Sequence, residues 1–244
     1  MRRALVVGGA NGIGLSIATI LADDERFDRI YIVDRVAVAK ELNHPKFEFR
    51  EFDLRSDDFS FFDSFGDIDT LMITAGFGRL AHFADVDEQH IVDSFAVNAT
   101  AVIRIIRHFY NRLSANEDFY CGVMGSIAGF MSSPLFSVYG ATKAALKIFI
   151  ESVNVELEMA DTTNRILNIS PGSIKGTAFY NGTNDLSITR SLAADILARL
   201  WAKEDLYIPQ YDEVFKEVLE RYHDDFRKEG RHSYEYKLGS GRIK

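Results

Sequence analysis

Apolar runs of strand length alternate with segments of helical period through most of this 244-residue chain. That alternation restricts the fold more than any single motif does. The runs lie at 4–8 (ALVVG), 29–34 (RIYIVD), 47–53 (FEFREFD), 69–76 (DTLMITAG), 119–126 (FYCGVMGS) and 165–170 (RILNIS), with a short seventh at 206–209 (LYIP). Between them, apolar spacing predicts a helix carrying Ile13, Ile17, Ile20 and Leu21, one long helix over 87–113, another over 139–159, and further helices over 192–201 and 211–228. Strands that are apolar on both faces, such as LVV and LMIT, belong in a parallel sheet joined by right-handed crossovers. The expected architecture is α/β, a doubly wound parallel sheet of about seven strands with helices on both faces.

No Gly/Ser/Pro-rich linker and no internal repeat divides the chain, so one domain over 1–244 is expected. Within it a substrate loop falls at about 173–192 and a C-terminal helical region at about 187–230. The stripe Val214, Phe215, Val218, Leu219, Tyr222 and Phe226 reads as a helix covering the core or a subunit interface. Basic side chains number 28 against 36 acidic ones, a net charge of −8, and no basic run stands out. Nucleic acid and anionic membranes are therefore not expected partners. Cys121 is the single cysteine, which excludes an intrachain disulfide and a cysteine-based zinc site. The first apolar run breaks at Gly8, too short for a secretory core, and no stretch approaches the roughly 18 apolar residues that span a bilayer. A cytoplasmic protein is expected.

The turn after the first run, GGANGIG, places Gly8, Gly12 and Gly14 between a strand and a helix. Glycines there let the backbone approach a pyrophosphate, and a helix N-terminus offers unpaired N–H groups and partial positive charge. Asn11 and Ile13 are candidate contacts in the same turn. Taken alone the turn is weak evidence, because a glycine-rich connection needs no ligand. Asp34 strengthens it. It stands 20 residues after Gly14 at the end of the second run, where a carboxylate can accept from the adenosine ribose hydroxyls. The same charge repels a 2′-phosphate, so NAD is expected over NADP, with the adjacent Arg35 as an offsetting or adenine-stacking cation.

Tyr139 and Lys143 stand four residues apart in YGATK, on one face of a predicted helix. An ammonium beside a phenol is expected to lower the phenol's pKa toward the range of a general acid/base. Ser126 ends the fifth run 13 residues before Tyr139. The carboxyl ends of strands are where open parallel sheets bind ligands.

With these residues in hand, the chain resembles the short-chain dehydrogenase/reductase family in its short single-domain branch, over about 4–177. The resemblance rests on GGANGIG, Asp34, FDL at 52–54, TAG at 74–76, VN at 97–98, GSIAG at 125–129, YGATK at 139–143 and SPGSIKGT at 170–177. It implies a Rossmann fold and an NAD(P)(H)-dependent oxidoreductase interconverting a secondary alcohol and a ketone or aldehyde. By the resemblance, Tyr139 moves the substrate proton, Lys143 binds the nicotinamide ribose, Ser126 holds the substrate oxygen and Asn98 supports a water in the proton relay. Asp53 and Leu54 contact adenine, Ala75 and Gly76 line the cofactor, and Pro171, Gly172 and Ile174 border the nicotinamide. Thr177 bonds the carboxamide or a phosphate. The resemblance further implies a homodimer or homotetramer packed through two long helices.

Three departures from the family pattern stand out. Val7 stands where a threonine usually ties the turn to a neighbouring strand, and Ile73-Thr74 replaces an asparagine pair. Gly176 adds a residue before Thr177, which leaves that threonine's role open. The alternative of a non-catalytic NAD-binding regulator is opposed by the intact Ser126, Tyr139, Lys143 and Asn98. An epimerase of the longer branch would need more chain after Pro171. The six histidines show no HxH or HxxxH pair, so no metal site is expected, and Ser126 lacks the G-x-S-x-G elbow of a hydrolase. Phe77, Ile127, Phe130, Phe179 and Tyr180 are the expected substrate lining, suited to a partly apolar alcohol or carbonyl compound.

Overall fold

The structure, a computed structural model, describes residues 1–174, 177, 185–241 and 243. Seven parallel strands form one sheet in the order β3-β2-β1-β4-β5-β6-β7. They are β1 (Arg2–Val7), β2 (Phe27–Asp34), β3 (Phe47–Glu51), β4 (Thr70–Ile73), β5 (Tyr120–Met124), β6 (Ile166–Ile169) and β7 (Leu206–Tyr207). The helices are α1 (Gly12–Asp23), α2 (Glu88–Phe95), α3 (Ala101–Leu113), α4 (Ser137–Met159), α5 (Leu186–Trp201), α6 (Lys216–Asp224) and α7 (Phe226–Gly239).

Alternation along each strand divides the core in two. Ala4, Val6, Ile30 and Ile32 pack with Ile17 and Leu21 of α1 and Ile196 and Leu200 of α5. Leu5, Val7, Leu71, Ile73, Cys121 and Val123 face the other way, onto Val102, Ile105 and Phe109 of α3 and Leu146, Ile150 and Leu157 of α4. Both faces of the sheet are thus covered, which explains the unbroken apolar runs. The strand order reverses at β1, whose neighbours are β2 and β4. At such a switch point the loops leaving the carboxyl ends diverge and open a crevice.

Three helices differ from their expected form. The span 87–113 is interrupted by a wide π-turn at Ala96–Thr100, where the Ala101 N–H reaches back to the Ala96 carbonyl. The 211–228 segment opens with a second π-turn at Tyr211–Phe215 and breaks at Asp225. There the backbone is extended and the carboxylate accepts from the Arg227 and Lys228 N–H groups, so a capped second helix begins inside the apolar stripe. The fifth helix starts at Leu186 rather than 192, because Asp185 caps it at Ser187. Among the described residues no helix is long and apolar enough to cross a membrane.

Candidate active site

The turn after β1 is built by backbone packing. Gly8 has a φ of 83°, and a side chain there would run into the backbone of Ala75 in the loop after β4. A Cβ on Gly14 would collide with the Gly8 carbonyl and the Thr74 hydroxyl. The Gly8 N–H donates to Val33 O at 2.7 Å, while Thr74 N–H and Ala75 N–H both donate to Val7 O, at 2.8 and 3.1 Å. The Thr74 hydroxyl lies 3.1 Å from both Val7 O and Gly8 O. The two departures from the family pattern therefore compensate each other. Val7 is buried in the core, and the tie between turn and neighbouring strand is supplied from the other side by Thr74. At its N-terminus α1 receives no side-chain cap from Asn11, and a helix N-terminus carries partial positive charge that favours an anion. A backbone hollow into which no side chain fits, beside a helix N-terminus, suits a pyrophosphate.

Asp34 stands at the end of β2 beside this turn. Its carboxylate accepts from the Ala10 N–H at 3.2 Å and from the Arg35 N–H at 2.7 Å, fixing it against the glycine loop. Arg35 is exposed. Asp53 is held by Arg55, whose hydrogen bonds at 2.6 to 3.1 Å depress its carboxyl to about 2, with the Arg35 charge contributing further. Leu54 is buried and Ile13 packs partly against the core. Thr177 comes to the same end. Its methyl lies 3.5 Å from an ideal Cβ on Gly12, and its hydroxyl donates to Ile174 O at 2.9 Å. That places Thr177 beside the glycine turn.

The second half of the site lies where β5 ends and α4 begins. Ser126 is extended and buried, and its hydroxyl accepts from the Ala128 N–H at 3.2 Å, capping a single 3-10 turn. Tyr139 is buried near the start of α4, and its phenol hydrogen-bonds Ser126. Lys143, one helical turn further on, is 3% exposed and donates to the Met124 carbonyl at 2.7 Å. Its ammonium nitrogen lies 5.6 Å from the centre of the Tyr139 ring.

Asn98 sits in the π-turn, fully buried. Its amide donates to Phe77 O at 2.8 Å and to the Thr142 hydroxyl at 3.3 Å, and its oxygen accepts from the Phe77 N–H at 3.0 Å. It thereby fastens the loop after β4 to α4. An ideal Cβ on Gly76 would lie 3.3 Å from the Asn98 oxygen and 3.5 Å from the Lys143 nitrogen, so this loop passes over both. The wide turn aims a polar side chain inward from an otherwise apolar stripe, as π-turns at functional sites do.

One electrostatic expectation is reversed. Burial pushes the Tyr139 phenol up to about 12, with the Ser126 hydrogen bond opposing it. Burial also pulls Lys143 down to about 8. Desolvation disfavours the charged form of both groups. With Lys143 bonded to a carbonyl and 5.6 Å from the ring, its ammonium does not outweigh the burial of the phenol.

The structure thus brings Ser126, Tyr139, Lys143 and Asn98 together, beside Gly76 and the Pro171 segment, whose carbonyl accepts from the Ile127 N–H at 3.1 Å. Pro171 itself is buried, and the Phe215 ring lies against Gly172. Phe77 and Ile127 lie on the flanking loops, and Phe130 lines two adjoining hollows, one with Ala128, Ser137 and Gly140 and one with Leu219 and His223, neither of which has Ser126, Tyr139, Lys143 or Asn98 in its lining. Phe179, Tyr180 and Gly176 lie outside the described residues. Sequence reasoning missed the hydroxyls of Thr74 and Thr142, and Phe136, whose ring stacks on Tyr139 at 4.2 Å. The signal for Phe136 was its position three residues before Tyr139. Among the described residues no cluster of three or more His, Cys, Asp or Glu side chains could hold a metal ion.

Comparison with known proteins agrees with this fold. The profile of the short chain dehydrogenase family matches residues 2–186. An uncharacterized oxidoreductase of Staphylococcus epidermidis is 28% identical over 205 residues, 80% of this chain and 86% of its own. An elsinochrome reductase of Elsinoe fawcettii is 25% identical, covering 72% of this chain and 70% of its own. Among solved structures, a short-chain dehydrogenase from Sphingobium yanoikuyae in complex with NADPH gives a TM-score of 0.73 at 20% identity, over 92% of this chain and 96% of the other. A short chain dehydrogenase/reductase from Burkholderia phymatum in complex with NAD gives 0.76 at 17% identity, over 93% and 94%. Identities this low establish the shared fold alone.

Proposed function

This chain belongs to the short-chain dehydrogenase/reductase family of oxidoreductases, and on that premise we propose that it uses NAD(H) to interconvert a secondary alcohol and its ketone or aldehyde. The observation that carries the proposal is the buried Ser126–Tyr139 hydrogen bond with Lys143 one turn along α4, at the carboxyl end of the sheet beside the glycine cradle. A nicotinamide dinucleotide, when bound, supplies or accepts the hydride. Gly8, Gly12 and Gly14 admit its pyrophosphate to the backbone, and Asp34 accepts from its adenosine ribose. Lys143 holds the nicotinamide ribose from beneath Gly76.

Ser126 positions the substrate oxygen, and Tyr139 gives that oxygen a proton in reduction or takes one in oxidation. Asp34 supports NAD over NADP, since its carboxylate is fixed where a 2′-phosphate would meet it. The non-catalytic alternative is not favoured, because no member of the proton-handling set is missing. We include self-association through α4 in the proposal: Ile148, Val155 and Met159 expose apolar surface along that helix.

The test is turnover of alcohol and carbonyl panels with NAD, NADH and their 2′-phosphorylated forms. Activity with at least tenfold higher kcat/KM for the unphosphorylated cofactor is expected. Equal or better use of the phosphorylated form overturns the NAD assignment. Cofactor binding without turnover of any compound overturns the enzymatic one.

A further inference from the structure

The C-terminal helix α7 reaches back to the loop that carries the ring stacked on Tyr139. Lys237 of α7 is half-buried, and its ammonium donates to the Ser133 hydroxyl at 2.6 Å and to the Pro134 carbonyl at 3.0 Å. One face of α7 lies on the same turn, with an ideal Cβ on Gly230 falling 3.6 Å from the Ser132 hydroxyl and 3.8 Å from the Pro134 ring. The turn is strained: Leu135 has a φ of 62°, a conformation that a branched aliphatic residue adopts only when its surroundings hold it. From the other side the Ala81 N–H donates to Leu135 O at 2.9 Å. The next residue, Phe136, stacks on Tyr139 with ring centres 4.2 Å apart and planes 20° apart. The backbone of Gly78 presses on both rings, since a Cβ there would lie 2.6 Å from Phe136 and 2.8 Å from Tyr139.

The Phe136–Tyr139 stack is therefore clamped between the loop after β4 and a strained turn that α7 holds by two charge-assisted hydrogen bonds. We propose that Lys237 is a positioning residue for Tyr139: by fixing the Ser133–Pro134 turn it keeps the Phe136 ring on the phenol and water away from it. The inference deepens the reading of Tyr139 as the proton-handling group and rests on it. It gives the C-terminal helix, which is far from the motifs in sequence, a part in setting the chemistry. Lys237 itself touches neither substrate nor cofactor.

The test reads the phenol directly, so it needs no substrate. In full-length protein labelled with tyrosine carrying carbon-13 at Cζ, the Tyr139 signal is assigned by its loss in Tyr139→Phe and followed by NMR against pH. The neighbouring groups Ser126 and Lys143 remain unchanged in every variant. In the parent protein the signal should stay at the neutral-phenol position through about pH 10.5, beyond the ordinary midpoint near 10. Lys237→Met, which keeps the aliphatic stem and removes the donor, should lower the midpoint by about one pH unit or more, and Lys237→Arg should restore it. If Lys237→Met does not fold, Ser133→Ala removes one acceptor and should lower the midpoint in the same direction. Superimposable titrations of the parent and a folded Lys237→Met, or of the parent and Ser133→Ala where that variant stands in, overturn the proposal. Because no turnover is read, that outcome would leave the assignment of Tyr139 as acid/base standing. Full turnover by Tyr139→Phe would remove the assignment without altering the titration.

Discussion

The two halves of this site are made of different materials. At the glycine turn the surfaces that meet are backbone: Gly8 against Ala75, Gly14 against the Gly8 carbonyl, with one hydroxyl, Thr74, tying them. At the head of α4 the working atoms are buried side chains, and two of them, Tyr139 and Lys143, have protonation shifted by burial. The backbone turn of the first half is specified by shape and should respond to added atoms. The second is specified by desolvation and hydrogen bonding and should respond to pH and to single-atom deletions. A dinucleotide site can thus tolerate a departure such as Val7 when a neighbour restores the same tie, whereas the proton-handling group has no spare member.

Gly8→Ala should give the largest effect. The new methyl meets the Ala75 backbone at a positive φ, so a loss of about 3 kcal/mol in unfolding free energy is expected, together with dinucleotide binding. Denaturant unfolding and calorimetric titration check both, and a stable protein that binds normally would break the shape argument.

Lys143→Met sharpens the contrast through pH. Burial depresses Lys143 to about 8 from its ordinary 10.5, so between those values the unfolded chain binds more protons than the folded one. The stability of the parent protein relative to this variant should therefore rise with pH across that window, by up to roughly 3 kcal/mol, and be flat below it. Unfolding curves collected from neutral to alkaline pH read this difference. Over the same range the Gly8→Ala deficit should stay constant. Parallel pH profiles for the parent and Lys143→Met would contradict the desolvation account.

Thr74→Val should have the smallest effect. It removes one hydroxyl that bridges Val7 O and Gly8 O while keeping the shape, at a cost of about 1 kcal/mol. A thermal melt would register it. No change would mean that the backbone bonds from Thr74 and Ala75 suffice to hold the turn.

Much of this was legible in the sequence, for reasons that differ by region. The central runs became strands because, like LVV of β1 and TLMI of β4, they are buried on both faces, a pattern that a covered parallel sheet satisfies, whereas the edge strand β3 (FEFRE) was legible from its alternation of apolar and charged residues. Asp34 and the Ser126–Tyr139 offset could be read because each falls at a strand end, where the fold gathers ligands. The π-turn at Asn98 was not legible, since Asn98 lies on the stripe of a regular helix and the widening depends on its bonds to Phe77 and Thr142, distant in sequence. The break at Asp225 was hidden within a continuous apolar stripe, although an aspartate able to cap the next turn was its local sign. The direction of the Tyr139 shift was misread because spacing shows that a lysine is near but not how dry the pocket is. Lys237 reaches its turn over roughly a hundred residues of sequence, and no local pattern announces such a contact.

The most direct test of the account is Tyr139→Phe, with turnover and dinucleotide binding measured on the same preparation. The substitution removes one oxygen and keeps the ring that stacks on Phe136. Turnover should fall roughly a thousandfold while the dissociation constant for NAD stays within about a factor of two. Retained turnover, or loss of binding in step with activity, would contradict the assignment of Tyr139 as the acid/base and with it the division of the site into a binding half and a proton-handling half.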